Sequence, residues 1–508
     1  MAKIAAAVPE RPFATPLRPR RLLVFDLNVG YGGHGSIRTA NAAFELMGRK
    51  TGCFETEFHR DPEAFRPENL ARFDAVFFNN TVGNLFEDPA LRRALAEFIY
   101  AGGGLMGAHG TSVAFTRWPG AHEDWPEFGR MLGARGASHL ASDEPAFIAL
   151  DDPAHPLTQC FPASGFECQD EFFRFQDPYS RNRVRVLLRI DTGRTPPPAD
   201  RKPFRADGDY ALAWARQYGR GRVFYCAIAH NPRTFWDPQM LRFYLAATQF
   251  ALGDLPAPTI PSALLTPAIR AQEAMGWRKG LEADDPSSVS LLDLIDRAAA
   301  MGVPYVGAAS DQRLGADMPV KLNESIDPDT FEKIRLKLDA SGVTLLTYRA
   351  MRPPSDATGW RALMAFARKM GAESLIAESL PTDLDAVGAL CAEYDIRLAC
   401  AADDPNSILA ACKNREPRIG ACGDFSRWAR AGIDPTKAIG ALGPRLITVS
   451  ARGPQWSNNT SAERMLAEIR AMRLNPTMFA FGCPTTAAPA PDISLFDNNC
   501  TKLVHGLR

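Results

Sequence analysis

The stretch GGGLMGAHGTSV, residues 102–113, combines a short apolar run with a glycine-flanked turn that carries a histidine. Leu105 and Met106 belong to the apolar run, and His109 stands at the turn. In many α/β enzymes a strand that runs into such a turn presents a catalytic serine or cysteine outside the sheet. The pattern therefore predicts a strand of an α/β fold that ends at a functional histidine.

The segments on either side of this stretch alternate between strand and helix patterns. Buried strands are predicted for RLLVFDLNV at 21–29, for DAVFFNN at 74–80 and for GRVFYCAIAH at 221–230. The helix pattern at 88–104 begins at Asp88, a good N-cap, and ends in glycines. This alternation predicts a doubly wound, mostly parallel sheet of the flavodoxin type over residues 21–252.

The second half of the chain repeats the alternation after a proline-rich segment. GDLPAPTIPSALLTPA, residues 253–268, is predicted to be a linker. Eight strand patterns separated by seven helical ones follow it, and they predict a (β/α)8 barrel over residues 269–484. Residues 1–20 are predicted to form a flexible arm, and residues 485–508 a C-terminal tail.

Composition excludes several classes of protein. Lys+Arg and Asp+Glu are both 58, so the formal net charge is zero, which argues against nucleic acid as the partner. The chain has no apolar run of ~18 residues, so no transmembrane helix is expected. The ten cysteines form no C-x-x-C pair and indicate free thiols in the cytoplasm. A homo-oligomer is compatible with these features.

Three of the eight histidines follow predicted strands: His34, His109 and His230. Ligands of parallel sheets bind at the carboxyl ends of the strands, so these side chains are expected at one edge. The helix start after His109 favours a neutral imidazole, which can accept a proton or bind a divalent metal. QDEFFRF at 169–175 adds Asp170 and Glu171, and these five residues are the predicted catalytic group. The alternative is that each histidine is a hydrogen-bonded turn residue.

The loop GYGGHG at 30–35 formally matches G-x-G-x-x-G, and Glu55 and Glu57 follow it at the spacing of a dinucleotide site. Nucleotide binding through this loop is therefore one alternative function. We expect instead that Tyr31 or His34 occupies the space that a pyrophosphate would need.

Residues 21–252 resemble the trehalose-utilisation (ThuA-like) family, whose fold is similar to that of class I glutamine amidotransferases. The resemblance rests on HGSI, FRPENLARFDAVFFNNTVG, AGGGLMGAHGTS, DWPEFGRMLGA, DDPAHPLT, DEFFRF and YALAWARQYGRGRVFYCAIAH, in that order. The family carries histidine where amidotransferases carry their cysteine, so the resemblance implies no amidotransferase chemistry. The family motif GIHAA reads GAHGT in this chain, at residues 107–111. The resemblance implies a role in sugar catabolism, in some members with oxidised (keto-) disaccharides.

A carbohydrate partner would suit the side chains near these motifs. Tyr31 and Trp214 could stack on sugar C–H groups, as could Trp118, and Arg174 could bond hydroxyls. We therefore predict that Tyr31, Arg174 and Trp214 bind the substrate, the alternative being that they only pack.

Residues 275–484 resemble xylose-isomerase-like sugar isomerases and epimerases, best in PRIGACGDFSRWARAGIDPTKAIGALGPRLITVSARG at 417–453. That family holds a divalent metal with Glu, Asp, His and Glu. Asp424 matches the aspartate, but Arg427 and Ser450 replace histidines. The barrel is therefore predicted to lack the metal site, with an arginine paired to Asp424 in its place. Glu378, Asp424 and Arg427 would bind a polar ligand or form a salt-bridged rim.

The leading hypothesis is a hydrolase, lyase or isomerase that acts on a sugar or an oxidised (keto) glycoside through the N-terminal domain. The alternatives are a non-catalytic sugar-binding or scaffold protein and a nucleotide-binding protein that uses residues 30–35.

Overall fold

The computed structural model describes residues 1–117, 122–196, 204–315, 317–483 and 491–506. Trp118 and the first part of the predicted tail, 485–490, lie outside these ranges. The chain divides into two compact units, Met1–Ala263 and Leu264–Arg508, called here the N-terminal unit and the barrel unit.

The N-terminal unit contains the following elements. Its strands are β1 Arg21–Phe25, β2 Glu55–His59, β3 Ala75–Asn79, β4 Gly104–Ala108, β5 Thr116–Arg117, β6 His122–Glu123, β7 Arg135–Ser138, β8 Glu144–Leu150, β9 Phe166–Asp170, β10 Arg174–Gln176, β11 Arg185–Ile190, β12 Ala211–Tyr218 and β13 Gly221–Cys226. Its helices are α1 Ala2–Ala7, α2 Ile37–Thr51, α3 Pro67–Leu70, α4 Pro89–Tyr100, α5 Pro126–Leu132 and α6 Pro238–Leu252.

Nine of these strands form one sheet in the order β2-β1-β3-β4-β13-β12-β11-β8-β9. The pairs from β2 to β13 are parallel, and the pairs from β13 to β9 are antiparallel. Strands β3 and β4 are buried at every residue, as expected for strands covered on both faces. A Cβ on Gly104 would lie 2.4 Å from the carbonyl oxygen of Ala251 in α6, so glycine permits the close packing of this helix on β4. The predicted α/β fold is confirmed.

The N-terminal segment is packed against its unit, whereas the sequence predicted a flexible arm. Ile4 of α1 is buried. Arg20 is also buried and forms ion pairs with Asp74 at 3.1 Å and Asp254 at 2.6 Å. These contacts depend on partners far along the chain, which the composition of residues 1–20 does not reveal.

A buried histidine attaches the first part of the predicted linker to the N-terminal unit. His155 is 1% exposed, accepts a hydrogen bond from the amide of Leu157 at Nδ1 and donates one from Nε2 to the carbonyl of Pro258. Burial lowers its pKa from 6.5 to about 4. Protonation at Nδ1 would remove the bond accepted from Leu157 and place a charge in a buried site, so protonation of His155 opposes folding.

We therefore expect acid to destabilise this unit through His155. The folded-state pKa lies below the unfolded value, so the stabilisation is present above pH 6.5 and is lost as the pH falls toward 4. The loss amounts to roughly 3 kcal/mol at most. Urea denaturation of chelator-treated protein at several pH values measures it. The Asn side chain of His155→Asn keeps an acceptor but does not titrate. The free energy of unfolding of this variant should therefore fall less steeply than that of the wild type as the pH is lowered. Equal slopes would contradict the assignment.

The barrel unit has the following elements. Its strands are β14 Lys279–Glu282, β15 Tyr305–Ala309, β16 Arg313–Gly315, β17 Met318–Lys321, β18 Thr344–Ala350, β19 Ser374–Ala377, β20 Arg397–Cys400, β21 Ile419–Asp424, β22 Leu446–Ser450 and β23 Phe479–Gly482. Its helices are α7 Pro267–Met275, α8 Leu291–Ala300, α9 Pro328–Ser341, α10 Ala357–Lys369, α11 Leu384–Tyr394, α12 Pro405–Ala411, α13 Phe425–Arg430, α14 Pro435–Leu442, α15 Pro454–Ser457, α16 Asn459–Ala471 and α17 Pro491–His505.

Eight parallel strands, β14-β15-β18-β19-β20-β21-β22-β23, close into a barrel, which confirms the predicted barrel fold. Closure is made by β14 and β23, with Lys279 opposite Phe479. Part of the predicted tail forms α17, which packs against α7 and pairs Asp497 with Lys279 at 2.7 Å. In the part of the chain that the structure describes, no helix has the length and apolar character needed to cross a bilayer.

Candidate functional site

The turn after β4 places His109 at the centre of the N-terminal unit. His109 has a φ of 39°, in the left-handed region that a residue with a side chain seldom adopts, and its side chain is fully buried. A short 3-10 helix, His109–Val113, follows directly. The tyrosine hydroxyl of Tyr225 donates a hydrogen bond to the carbonyl of His109 at 2.7 Å, which helps to hold this turn. A left-handed backbone conformation such as that of His109 is strained, and strain of this kind is typical of functional sites.

Four side chains meet at this turn: His34, His109, Glu171 and His230. The ring centroids of His34 and His109 are 4.8 Å apart, and His230 lies 5.3 Å from His34 and 5.1 Å from His109. One nitrogen or oxygen atom of each of the four residues lies within 4.8 Å of the others. The cluster therefore has the dimensions of a metal site, and we call it the His3Glu cluster.

Hydrogen bonds to the backbone fix the proton on one imidazole. Nδ1 of His109 donates to the carbonyl of Ala227 at 3.1 Å, so Nε2 of the neutral ring carries a lone pair. That Nε2 lies 3.3 Å from Oε1 of Glu171 but makes no hydrogen bond. Nδ1 of His34 and Nδ1 of His230 are also buried without a hydrogen-bond partner. Buried ring nitrogens without a partner are typical of metal-ligating histidines. In His109 the opposite ring nitrogen is also held by the backbone, as is common for such ligands.

The electrostatics of the cluster favour neutral His34 and His109 beside an ionised Glu171. Burial, together with His109 and His230, lowers the pKa of His34 from 6.5 to about 3. Burial also lowers the pKa of His109. Burial would raise the pKa of Glu171, but its contacts with the neighbouring histidines lower it. Three imidazole nitrogens and one carboxylate are a ligand set that suits Zn²⁺ and similar first-row divalent ions.

Asp170 does not join the cluster, although the sequence grouped it with the catalytic residues. Its Oδ1 accepts hydrogen bonds from the amides of Glu171 at 2.9 Å and Asn231 at 3.0 Å. Its Oδ2 accepts one from the hydroxyl of Thr234 at 3.2 Å. Burial raises the pKa of Asp170 to about 7. Asp170 thus connects Glu171, which follows β9, to the loop that carries His230 through hydrogen bonds.

Removal of this carboxyl group should destabilise the N-terminal unit. Asp170→Ala leaves buried donors of Glu171, Asn231 and Thr234 without an acceptor and should lower the free energy of unfolding by about 2–3 kcal/mol. Asp170→Asn retains an oxygen acceptor and should cost less. Urea denaturation of chelator-treated protein measures both. An Asp170→Ala variant as stable as the wild type would refute this role.

Family comparison agrees with the sequence resemblance. The model of the ThuA family, described as trehalose utilisation, matches residues 21–251. Residues 21–251 are a ThuA domain. All four residues of the His3Glu cluster lie within it, and the match gives the domain a carbohydrate-related function. No curated protein matches the chain.

Solved structures similar to parts of the chain belong to both families that the sequence resembles. A ThuA-like protein of Bacteroides uniformis is 21% identical, with a TM-score of 0.39, over 47% of this chain and 94% of that one. A sugar phosphate isomerase/epimerase of Parabacteroides distasonis is 10% identical, with a TM-score of 0.33, over 45% and 93%. A xylose isomerase-like TIM barrel protein of Mycobacterium smegmatis in complex with magnesium is 10% identical, with a TM-score of 0.34, over 46% and 98%.

Of the predicted substrate-binding residues in the ThuA domain, only Tyr31 lies at the mouth of the cluster. It is 38% exposed, and its ring centroid is 5.1 Å from that of His34. Trp214 is fully buried and donates its indole N–H to the carbonyl of Leu132, so the prediction that it stacks on a sugar is wrong. Arg174 is engaged by both carboxylate oxygens of Glu144 and is not free for hydroxyls.

The glycine loop at 30–35 directs a side chain into the cluster. The His34 imidazole lies against His109, and the amide of Ile37, the first residue of α2, donates to the carbonyl of His34 at 3.2 Å. The loop thus positions a histidine at the start of the helix, where a dinucleotide site would present free amides to a pyrophosphate.

His139 is a residue near the cluster that sequence reasoning missed. Its Nδ1 lies 3.3 Å from Oε2 of Glu171, and its side chain is 34% exposed. It follows β7, which pairs with β10 in a separate two-stranded sheet. The rule that sites gather at strand ends of the main sheet therefore gave no signal for it.

The mouth of the barrel holds an ion-pair network around Glu282, which the sequence analysis also missed. Glu282, at the end of β14, is 5% exposed, and Arg349 of β18 lies 3.2 Å from it and 2.8 Å from Glu378. Arg452 lies 3.7 Å from Glu282. Burial would raise the pKa of Glu282, but the two arginines lower it.

The predicted ion pair between Asp424 and an arginine is not formed among the described residues. Asp424 caps α13 by accepting a hydrogen bond from the backbone N–H of Arg427 at 2.9 Å. The Arg427 guanidinium pairs instead with Asp403, and it lies 3.8 Å from Glu378. Asp424 is the N-cap, and this local use of its carboxylate competes with a distant guanidinium. Asp424, Arg427 and the Glu282 network line a cavity of about 180 Å³.

Proposed function

We propose that the ThuA domain is a divalent-metal-dependent enzyme that acts on a sugar or an oxidised (keto) glycoside as a hydrolase, lyase or isomerase. The observation that carries the metal dependence is the set of buried nitrogens without partners in His34, His109 and His230, gathered around Glu171. The trehalose-utilisation family supports the substrate class.

The contact between His109 and Glu171 supports a bound cation. With the proton on Nδ1, the lone pair of His109 Nε2 faces a carboxylate oxygen 3.3 Å away. Two acceptors at this distance repel one another, and burial removes the water that would screen them. A divalent ion bound by both atoms converts this repulsion into attraction.

The exposure of the side chains indicates how a substrate reaches the cluster. The His109 side chain is fully buried, that of Glu171 is 11% exposed and that of His230 is 24% exposed. His109 therefore forms the floor of the site, and His230 and Tyr31 lie at its opening. A sugar approaching from this side meets Tyr31 first.

The residues of the site have separable roles in this proposal. His34, His109, His230 and Glu171 hold the ion, which when bound would polarise a carbonyl or hydroxyl oxygen of the sugar. Burial and the charge of Glu171 raise the pKa of Tyr31, so its phenol keeps its proton. Tyr31 therefore donates a hydrogen bond to a sugar oxygen, and its ring packs on the sugar face.

Reaction in D₂O tests the proposal and separates the reaction classes. Apoprotein reloaded with Zn²⁺, Mn²⁺ or Co²⁺ is incubated with a disaccharide and with its keto derivative, and the products are followed by NMR and mass spectrometry. We expect turnover that requires the ion and is absent from His109→Ala. Deuterium on the carbon beside the carbonyl indicates an isomerase or lyase, and its absence from a cleaved product indicates a hydrolase.

Two outcomes would contradict the proposal. Undiminished turnover by chelator-treated protein would exclude the metal dependence. Tight sugar binding by the metal-loaded protein without turnover of any tested substrate would support a non-catalytic sugar-binding protein.

A further inference from the structure

We infer that His139 is a positioning residue of the metal centre: it donates a hydrogen bond to Oε2 of Glu171 and so fixes the orientation in which Oε1 faces His109. The inference rests on the proposed metal dependence and adds a residue outside the His3Glu cluster. It assigns to His139 a donor role toward the carboxylate, not a place among the ligands.

The carboxylate of Glu171 lies between two imidazoles that differ in depth. Oε1 is 3.3 Å from Nε2 of the buried His109, and Oε2 is 3.3 Å from Nδ1 of His139. Oε2 also lies 3.9 Å from Nε2 of His230, so His139 is the nearer of its two imidazole neighbours. In the described residues Glu171 is the ion-pair partner found for His139, whose side chain is 34% exposed.

The backbone determines the position of His139 independently of the main sheet. Strands β7 and β10 are antiparallel, with Ser138 opposite Arg174. His139 directly follows Ser138, and Glu171 precedes Arg174 by three residues, so this pairing brings the two side chains together. The short sheet therefore couples the position of His139 to that of Glu171.

A shared aromatic ring fixes the spacing of the two imidazoles. The ring of Phe173 lies 4.8 Å from that of His109 and 5.7 Å from that of His139, and it is buried. Phe173 thus supports both histidines on the chain segment that carries Glu171. Packing of this kind restricts the rotation of both imidazoles.

The physical consequence concerns how Glu171 would bind an ion. A carboxylate without an outer partner rotates freely and offers one or both oxygens, whereas a donor to one oxygen leaves the other as a single ligand. Outer partners of this kind typically change metal affinity by about 10–100-fold. With Oε2 held by His139, the Oε1 that faces His109 is the oxygen of Glu171 available as a ligand.

Cobalt binding to the full chain tests the inference without reference to activity. The chelator-treated wild type, His139→Ala and His139→Asn are titrated with Co²⁺, and the affinity and the visible absorption spectrum are recorded. The Asn amide nitrogen can replace Nδ1 as a donor. We expect His139→Ala to bind about 10–100-fold more weakly with a changed spectrum, and His139→Asn to recover most of the affinity and the wild-type spectrum.

A second histidine–glutamate pair provides the matched control. Nε2 of His59 lies 2.8 Å from Oε1 of Glu57 on the edge strand β2, outside the cluster. His59→Ala should leave both the Co²⁺ affinity and the spectrum unchanged. Thermal unfolding of each variant shows whether it is folded.

The outcomes distinguish this inference from the proposed function. If the wild type binds Co²⁺ and His139→Ala binds it equally well with the same spectrum, the positioning role is refuted and the metal centre stands. If His139→Asn loses as much affinity as His139→Ala, packing and not hydrogen-bond donation explains the effect, which also refutes the role. Absence of Co²⁺ binding by the wild type would overturn the metal centre, and this inference with it.

Discussion

Replacement of His109 by alanine should weaken the binding of Zn²⁺ or Co²⁺ by more than about 100-fold, because loss of an outer partner alone typically costs 10–100-fold. His109 is the buried member of the His3Glu cluster, and its Nε2 points at Glu171 without a hydrogen bond. Its removal therefore takes away a ligand that water cannot easily replace in the floor of the site. Competition with a chromogenic chelator measures the affinity.

Two controls accompany this variant. Thermal unfolding in the presence of chelator establishes that His109→Ala is folded, since the substitution also removes ring contacts with Phe173 and His230. His59→Ala removes a histidine outside the cluster and should bind the ion like the wild type. Wild-type affinity in a folded His109→Ala protein would rule out His109 as a ligand.

The second large effect is expected in the barrel unit. Arg349→Ala should lower the free energy of unfolding by about 3–5 kcal/mol, because it leaves the buried carboxylate of Glu282 without its nearest cation. Arg349 is 13% exposed at its side chain and contacts both Glu282 and Glu378. Urea denaturation of the full chain, followed through the barrel transition, measures the loss.

Variants at other acidic residues near the mouth of the barrel provide the comparison. The Asp403 side chain is 73% exposed, so Asp403→Ala should change the free energy of unfolding by less than about 1 kcal/mol. Asp424→Ala removes a helix N-cap and should cost about 0.5–2 kcal/mol. An Arg349→Ala effect no larger than that of Asp403→Ala would show that Glu282 is not held by this arginine.

The sequence was sufficient to predict the fold and the convergence of three histidines because both depend on local patterns. Alternating strand and helix signals define a parallel sheet, and the carboxyl ends of parallel strands meet at one edge. His34, His109 and His230 each follow such a strand, so the same rule that predicts the sheet brings them together.

The errors concern side chains whose surroundings are set by distant residues. Trp214 is fully buried, and its indole N–H donates to the carbonyl of Leu132 in α5. The two residues are 82 positions apart in the sequence. Arg174 of β10 is engaged by Glu144 of β8, 30 positions away in a different sheet. An aromatic or a cation beside a motif has the same sequence signature whether it faces a ligand or the core.

The barrel shows the same limit for charge pairing. Asp424 matches a metal ligand of the xylose-isomerase-like family, so the sequence predicted that it pairs with an arginine. The buried acid is instead Glu282, and its partner Arg349 lies 67 positions away, brought close only when the barrel closes. The sequence analysis predicted a guanidinium beside Asp424 at the mouth, but neither Arg349 nor the buried Glu282 that it pairs with.

The central claim is that His34, His109, His230 and Glu171 bind one divalent ion together. Anomalous X-ray diffraction from crystals of the zinc-loaded protein, collected on both sides of the zinc edge, tests it most directly. The claim predicts one strong anomalous peak about 2.0–2.2 Å from one atom of each of the four side chains. Absence of a peak at the cluster in zinc-loaded crystals, or a peak only at other residues, would contradict it.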